Sequence, residues 1–472
     1  MLMLFGLAIT PELRAQTFTN LYSFSAFGGA SGNNSDGAYP LAGLILSGNT
    51  LYGTTYGGGT NGYGTVFAVN TNGTGFTNLH NFTGSNDGAE PYAELILSGN
   101  TLYGTTYQGG TNGYGTVFAV NTDGTCFTNL HSFTTTVYPG YGGNRINSDG
   151  ANPIAGLILS GNTLYGTAHY GGTNGYGAVF AVNTDGTGFT TLYNFTAMSY
   201  SGSIDKYTNS DGAYPWAGLT LSGNTLYGTA YQGGTHGYGT VFALTTNGTG
   251  FTNLYNFTGG SDGAYPQAKL ILSGNTLYGT ANWGGTNWDG TVFAVNTDGA
   301  SFTNLHSFTG TSGEGSQPTA ELILLGNTLY GTTAGGGNSG NGTVFALTIN
   351  GTDFTNLHRF TGISSEGSEP EAGLILSANT LFGTTAGGGN SGNGTVFSLT
   401  LPAVPKLTII PAGTNVILAW PTNTTAFTLQ STTNLVSSTH WSSVFPTPVV
   451  MNGQNIVTNS ISGEQIFYRL SR

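Results

Sequence analysis

Short apolar runs, each four to seven residues long, are separated along most of this chain by Gly-, Asn- and Thr-rich punctuation. The pattern is clearest in AGLILSGNTLYGTTYGGGTNGYGTVFAVNTNGTGFTNLHNF, from Ala42 to Phe82. Four runs stand out there: Leu44–Ser47, Thr50–Thr55, Thr65–Asn70 and Phe76–Phe82. Their β-branched and aromatic content, and the Gly and Asn between them, predict strands rather than helix turns. Ser-Gly-Asn-Thr joins the first two runs, and Thr-Asn-Gly-Thr or Thr-Asp-Gly-Thr the last two; both suit tight hairpins, because Gly and Asn tolerate positive φ.

The unit repeats. Its LYGT or LFGT core recurs at Leu51, Leu102, Leu164, Leu226, Leu277, Leu329 and Leu381. A TVF or AVF core follows each time, ending at Phe67, Phe118, Phe180, Phe242, Phe293, Phe345 and Phe397. Seven copies of four antiparallel strands, at periods of roughly 51 to 62 residues, predict an all-β, seven-bladed β-propeller. Phe18–Phe24 (FTNLYSF) is a fourth-strand motif with no three strands before it, and the last copy lacks its own fourth strand after Leu399. The N-terminal strand is therefore expected to complete the last blade and remove the sheet edges an open array would leave. Residues 17–402 are assigned to the propeller. Residues 403–472 lose the repeat and read as a small β-sandwich module, with strands expected at Lys406–Ile410, Asn415–Trp420, Ala426–Ser431, Trp441–Phe445 and Ile466–Leu470 and with Trp420 in its core.

The pattern LxxxGNTLYGTTxxGGxxxxGTVFAVNTxGTxFTNLxxF resembles the GloVer (Gloeo/Verruco) tandem-repeat family of exported bacterial proteins, over residues 18 to about 400. The tail is similar to the fibronectin type III-like modules of secreted bacterial proteins. The resemblance implies a repeat architecture with a variable C-terminal region, and no particular activity.

Composition narrows the function classes. Gly makes up 80 of 472 residues, only 6% are charged, and the formal net charge is −12. Regularly spaced large aromatics argue against disorder, since they bury enough surface to offset chain entropy. Eight Lys and Arg, scattered, give no phosphate-tracking stripe, so nucleic acid is not expected as a partner. The single Cys126 excludes an intramolecular disulfide, and it stands where other copies carry Gly, as a turn substitution. Residues 1–16 (MLMLFGLAITPELRAQ) read as a signal peptide, with an apolar run too short to span a bilayer. The protein is expected to be secreted or in the cell envelope, monomeric and without a transmembrane segment.

The long loops after strands two and four are expected on one face, and function on repeat scaffolds sits on such a face. Two sets of residues there carry candidate chemistry. Asp36, Asp87, Asp149, Asp211 and Asp262, with Glu314 and Glu366 in the last copies, form SDGAYP-type elements. Seven carboxylates near a channel mouth would suit Ca²⁺, whose ligands are hard oxygens; the alternative is that each caps its own turn. No other cofactor is implied. The second set is aromatic: Tyr170, Tyr231, Tyr238, Trp283, Trp288 and Trp216, with Tyr138, Tyr141, Tyr200 and Tyr207 in insertions before the third and fourth SDGA elements. Copies six and seven have AGGGNSGNG and no aromatic at this place, so the mass gathers over blades three to five. Tyr and Trp stack on the apolar faces of sugar rings, and Asn and Thr pair with hydroxyls; the alternative is packing between blades.

Catalytic signals are sparse. His80, His131, His306 and His358 share one fourth-strand position with Tyr22, Tyr193 and Tyr255, which reads as a polar-tipped filler. His169 and His236 lie in the long loops, where proton transfer is conceivable, and Asp262 with Asp289 offers a carboxylate pair. No nucleophile elbow, metalloprotease, P-loop or dinucleotide motif occurs. The reading is an exported, non-catalytic binding or surface protein that holds polysaccharide or a cell-surface glycan. A glycan-active hydrolase or lyase, and a structural adhesin or envelope component, are the alternatives.

Overall fold

The computed structural model describes residues 16–28, 32–139, 144–311, 313–363, 366–401, 407–422, 427–433, 441–460 and 466–471. All its regular structure is β, in two compact units, Phe18–Leu399 and the segment from Thr400 onward. The expected signal peptide lies outside the described residues, apart from Gln16, and so does Tyr141.

In the first copy β2 (Ile45–Ser47), β3 (Thr50–Thr55), β4 (Thr65–Asn70) and β5 (Thr77–Asn81) pair in sequence order as one antiparallel sheet. Among the described residues of the larger unit there are seven such four-stranded sheets. β1 (Thr17–Ser23) supplies the fourth strand of the seventh, beside Thr395–Thr400, Thr380–Thr385 and Ile375–Ser377.

The repeated motifs explain the packing. TVFAV is buried along its length because another sheet stacks on each side, so it reads as a continuous apolar run instead of an alternation. In LYGTT each position has a separate task. Leu51 and Tyr52 enter opposite inter-sheet cores, and a Cβ on Gly53 would come within 2.7 Å of Phe67 and 2.8 Å of Leu44. The buried Thr54 hydroxyl donates to the Ala93 carbonyl of the next copy at 3.2 Å. Equivalent bonds run from Thr105, Thr167, Thr229, Thr280 and Thr332 to the copy that follows each. Thr384 then donates to Ala42 of the first copy at 3.0 Å, across 342 residues of chain. The seams therefore close a circle.

The outer strands repeat the closure. His80 stacks on Phe127 of the following copy at 3.8 Å between centroids, and Tyr193 on Phe251 at 4.1 Å. On either side of β1, His358 stacks on Phe18 and Tyr22 on Phe76. Phe24 is fully buried with Leu44, Phe67 and Val396 between the seventh and first sheets.

The second unit pairs Thr408–Ala412, Asn415–Pro421, Gln454–Ser460 and Val449–Met451 in one sheet, and Ser442–Ser443, Thr428–Thr432 and Phe467–Ser471 in another. Leu418, Trp420, Leu429 and Val457, drawn from both sheets, form its core. The hairpin at Val449–Ser460 is absent from the sequence reading, although its turn carries the strongest short hairpin signal, Asn452-Gly453 with φ of 49° and 75°.

Candidate functional site

The long-loop face is organised by a collar of backbone. In all seven copies the residue before the recurring proline is non-glycine with positive φ, between 53° and 58°, as at Tyr39, Glu90, Asn152 and Tyr214. That conformation is sterically costly for L-residues and persists where surrounding bonds hold it. Each such N–H donates to a loop carbonyl of the preceding copy, as Tyr214 does to Tyr176 at 2.8 Å. Each carbonyl accepts from the residue that follows strand two, as Tyr39 does from Tyr56 at 3.0 Å. The collar fixes the start of every innermost strand and hence the side chains that enter the central channel.

Pro-X-Ala-Y-Leu follows the collar, and its X and Y positions line a channel cavity of about 360 Å³. The Y positions are Gly in copies one, three, four and seven, and Glu94, Lys269 and Glu321 in copies two, five and six. The glycines make room: a Cβ on Gly373 would meet Glu321 at 2.6 Å, and one on Gly43 would meet Glu94 at 3.4 Å. Lys269 Nζ lies 3.3 Å from Glu321 Oε2. Burial, then the Glu321 charge, hold the Glu94 carboxyl well above the usual carboxylate range, against the opposing pull of Lys269. The carboxylates beside it hold the Lys269 ammonium above its ordinary value. Asn282, also in the channel wall, is 9% exposed, and its Oδ1 is buried without a hydrogen-bond partner.

Aromatic rings tile the rim in a continuous arc. Tyr56 meets Tyr92 edge-on at 5.9 Å, Tyr92 meets Trp216 at 6.2 Å, and Trp216 meets Tyr231 at 5.7 Å. The arc continues through Tyr265 and Tyr238 to Trp288, with spacings of 5.1, 5.6 and 6.5 Å. The Tyr56 hydroxyl donates to Glu90 at 3.0 Å, and burial followed by the Glu90 charge pushes it up to about 12.

The expected binding residues divide. Trp216, Tyr231, Tyr238 and Trp288 belong to the arc. Tyr170 and Trp283 do not share the Tyr56 position, as a count along the loop implies. Isolated bridges align Gly57, Gln108, Tyr170, Gln232 and Trp283, so His169 and Asn282 are the partners of Tyr56. One residue of register turns a side chain to the other side of the chain. Tyr170 and Trp283 stand 40% and 39% exposed outside the channel. Tyr238 also packs on a turn, since a Cβ on Gly259 would lie 2.5 Å from its ring.

The structure does not bring Asp36, Asp87, Asp149, Asp211 and Asp262 together around an ion. Among the described residues no group of three or more His, Cys, Asp or Glu could hold a metal. Each carboxylate instead accepts from its own sheet. Tyr22 donates to Asp36 at 2.7 Å, Tyr193 to Asp211 at 2.7 Å and Tyr255 to Asp262 at 2.9 Å. His80 and His131 bond Asp87 and Asp149 at 3.0 Å, and His306 bonds Glu314 at 2.7 Å. Thr83, Thr134, Thr196 and Thr258 add a backbone and a hydroxyl bond each. His and Tyr interchange because either presents a donor at the same reach.

Burial holds His169 down at about 4, with Nδ1 facing the Pro215 carbonyl at 3.4 Å and its ring against Trp216. It is a neutral wall of the rim. Asp289 has Glu314, not Asp262, as its carboxylate neighbour; burial and then that charge raise it. Sequence reading passed over Glu94, Lys269 and Glu321, for which the signal was a charged residue at a position that is otherwise Gly.

Seven linked four-stranded sheets around a lined channel define a β-propeller-like repeat protein. The chain belongs to the Gloeobacter/Verrucomicrobia repeat family, whose model matches residues 7–206, 142–273, 197–314 and 269–412. No curated protein matches it. Among solved structures it is similar to a chain of a nidogen/laminin complex (14% identity, 63% of this chain and 93% of that one, TM-score 0.38). It is also similar to TolB from Acinetobacter baumannii (11%, 76% and 78%, TM-score 0.37) and to a puromycin-hydrolyzing peptidase from Mycobacterium tuberculosis (13%, 85% and 62%, TM-score 0.45). Likeness at this level transfers no activity. No helix of the described residues is long and apolar enough to cross a membrane.

Proposed function

We propose that this is an exported seven-bladed β-propeller that binds a glycan without cleaving it, at the mouth of its central channel, and carries a C-terminal β-sandwich. The observation that carries the reading is the aromatic arc from Tyr56 to Trp288 above a channel whose wall holds the unpartnered Asn282 Oδ1. Flat rings supply stacking area, while the channel floor supplies donors and acceptors for hydroxyls. Glu94 and Glu321 beside the Lys269 ammonium offer both within one small space.

The same floor favours a second reading, a glycan-active enzyme with Glu94 as proton donor. A glycan array probed with the full chain, with product release scored alongside, separates the two. Retention that falls at least tenfold in Trp216→Ala and Trp288→Ala, with no products, is the expected result. Products lost in Glu94→Gln would install the enzyme instead, and no retention on any glycan would sink both.

A further inference from the structure

Described residues of the insertion before the third sheet help line a second cavity, of about 300 Å³, outside the channel. Tyr114, Tyr138, Tyr170 and Tyr214 line it, with Asn144 and Arg145. That volume is at the lower end of ligand pockets, enough for one sugar unit. We propose that this cavity is a subsite for a carboxylate-bearing sugar, a uronic acid, within an acidic glycan; the proposal rests on the glycan reading and extends it.

Charge carries the argument. Residues 17–401 hold four Lys or Arg in all: Arg145, Lys206, Lys269 and Arg359. Lys269 faces Glu321, Lys206 follows Asp205 in the chain and reaches Tyr265, and Arg359 donates to the Gly313 carbonyl. Among the described residues Arg145 pairs with no carboxylate. Its guanidinium lies over the Tyr138 ring, 4.7 Å from the centroid, and Nη1 donates to the Tyr114 hydroxyl at 3.1 Å. Held in this way, a guanidinium keeps most of its five donors for a planar, bidentate partner, and a carboxylate fits that fork.

A second, independent feature marks the cavity. Thr136 lines it and is 8% exposed, yet its buried hydroxyl has no hydrogen-bond partner. An unsatisfied buried hydroxyl is costly, and a ligand seated in this cavity would supply its missing partner. Tyr214 joins this cavity to the channel rim: it packs on Tyr170 at 5.6 Å and on His169 at 5.6 Å, and His169 packs on Trp216 at 4.9 Å. The two sites thus share one packed aromatic wall. The protein's −12 net charge repels polyanions as a whole, so a preference for acid must come from a local site.

The test is calorimetric titration of the full chain with oligogalacturonate, its methyl ester and a neutral cello-oligosaccharide. The acid is expected to bind at least tenfold tighter than its ester. Arg145→Gln should reduce that ratio to within about twofold, by lowering affinity for the acid more than for its ester. Arg145→Lys should restore part of it. Equal affinity for acid and ester in the parent, or a preference that survives Arg145→Gln, overturns the subsite while glycan binding stands. Failure of all three oligosaccharides to bind overturns the subsite and the glycan reading together.

Discussion

Replacing Asp211 by Asn tests whether the SDGA carboxylates serve the fold or a metal. Asp211 is 2% exposed and accepts from the Tyr193 hydroxyl at 2.7 Å, the Thr196 N–H at 2.9 Å and the Thr196 hydroxyl. Asparagine keeps the shape but one of its two termini becomes a donor, so at least one of these donors is left facing another. Two bonds fall from charge-assisted to neutral strength, a loss of about 1 kcal/mol each. The donor left unsatisfied adds about 1–3 kcal/mol, for a total of about 3–5 kcal/mol. Glu366 provides an internal comparison: it keeps the two Thr361 bonds, but His358 stands 4.0 Å away and the site is more open. Glu366→Gln should therefore cost about 1 kcal/mol. Urea unfolding followed by Trp fluorescence, with and without millimolar Ca²⁺, reads both. Equal losses for the two variants would refute the bonding argument. So would a midpoint that Ca²⁺ raises in the parent but not in Asp211→Asn, which would return these carboxylates to a metal.

Closure predicts that Phe24→Ala, at a fully buried seam position, costs about 3–5 kcal/mol. Removing the whole strand Thr17–Ser23 should leave an unpaired edge and shift the protein to oligomers in size-exclusion chromatography; a monodisperse monomer of unchanged stability would contradict it. For pH, burial holds His80, His306 and His358 below their ordinary value despite the carboxylates beside them. The unfolded chain takes up protons first, so the stability these groups give is present above about pH 6.5 and lost as pH falls below it. The urea midpoint should be flat from pH 8 to 7 and decline below 6.5, and should decline less steeply when all three become Tyr, the residue that the third and fourth copies already use, the remaining slope belonging to buried His169. An unchanged slope in that triple variant would count against the burial argument.

The ring was legible in the sequence because every copy repeats the same local solution. LYGTT, TVFAV and the offset FTNL motif each answer to one packing need, and Phe18–Phe24 announced its distant partner by lacking near ones. The channel was not legible for the opposite reason. Glu94, Lys269 and Glu321 lie in three copies, far apart in the chain, and only closure brings their side chains to one throat. The rim failed by a single residue: Tyr170 and Trp283 look equivalent to Tyr56 until the bridges fix which side each one faces. In the second unit the Asn452-Gly453 hairpin was readable and was passed over, because its flanking strands carry Asn and Gln among the apolar residues.

The displacement of β1 from its own sheet has a consequence for how such a chain diversifies. Because no sheet coincides with one contiguous repeat at the join, a duplicated or deleted copy anywhere in the gene leaves the two mating ends untouched. Copy number can then change the circumference without a new closing device being invented. What does not survive such a change is the throat, since the spacing of Glu94, Lys269 and Glu321 around it is set by how many neighbours stand between them. Architecture is thus the tolerant property of this chain, and the chemistry at its centre is the property tied to one count.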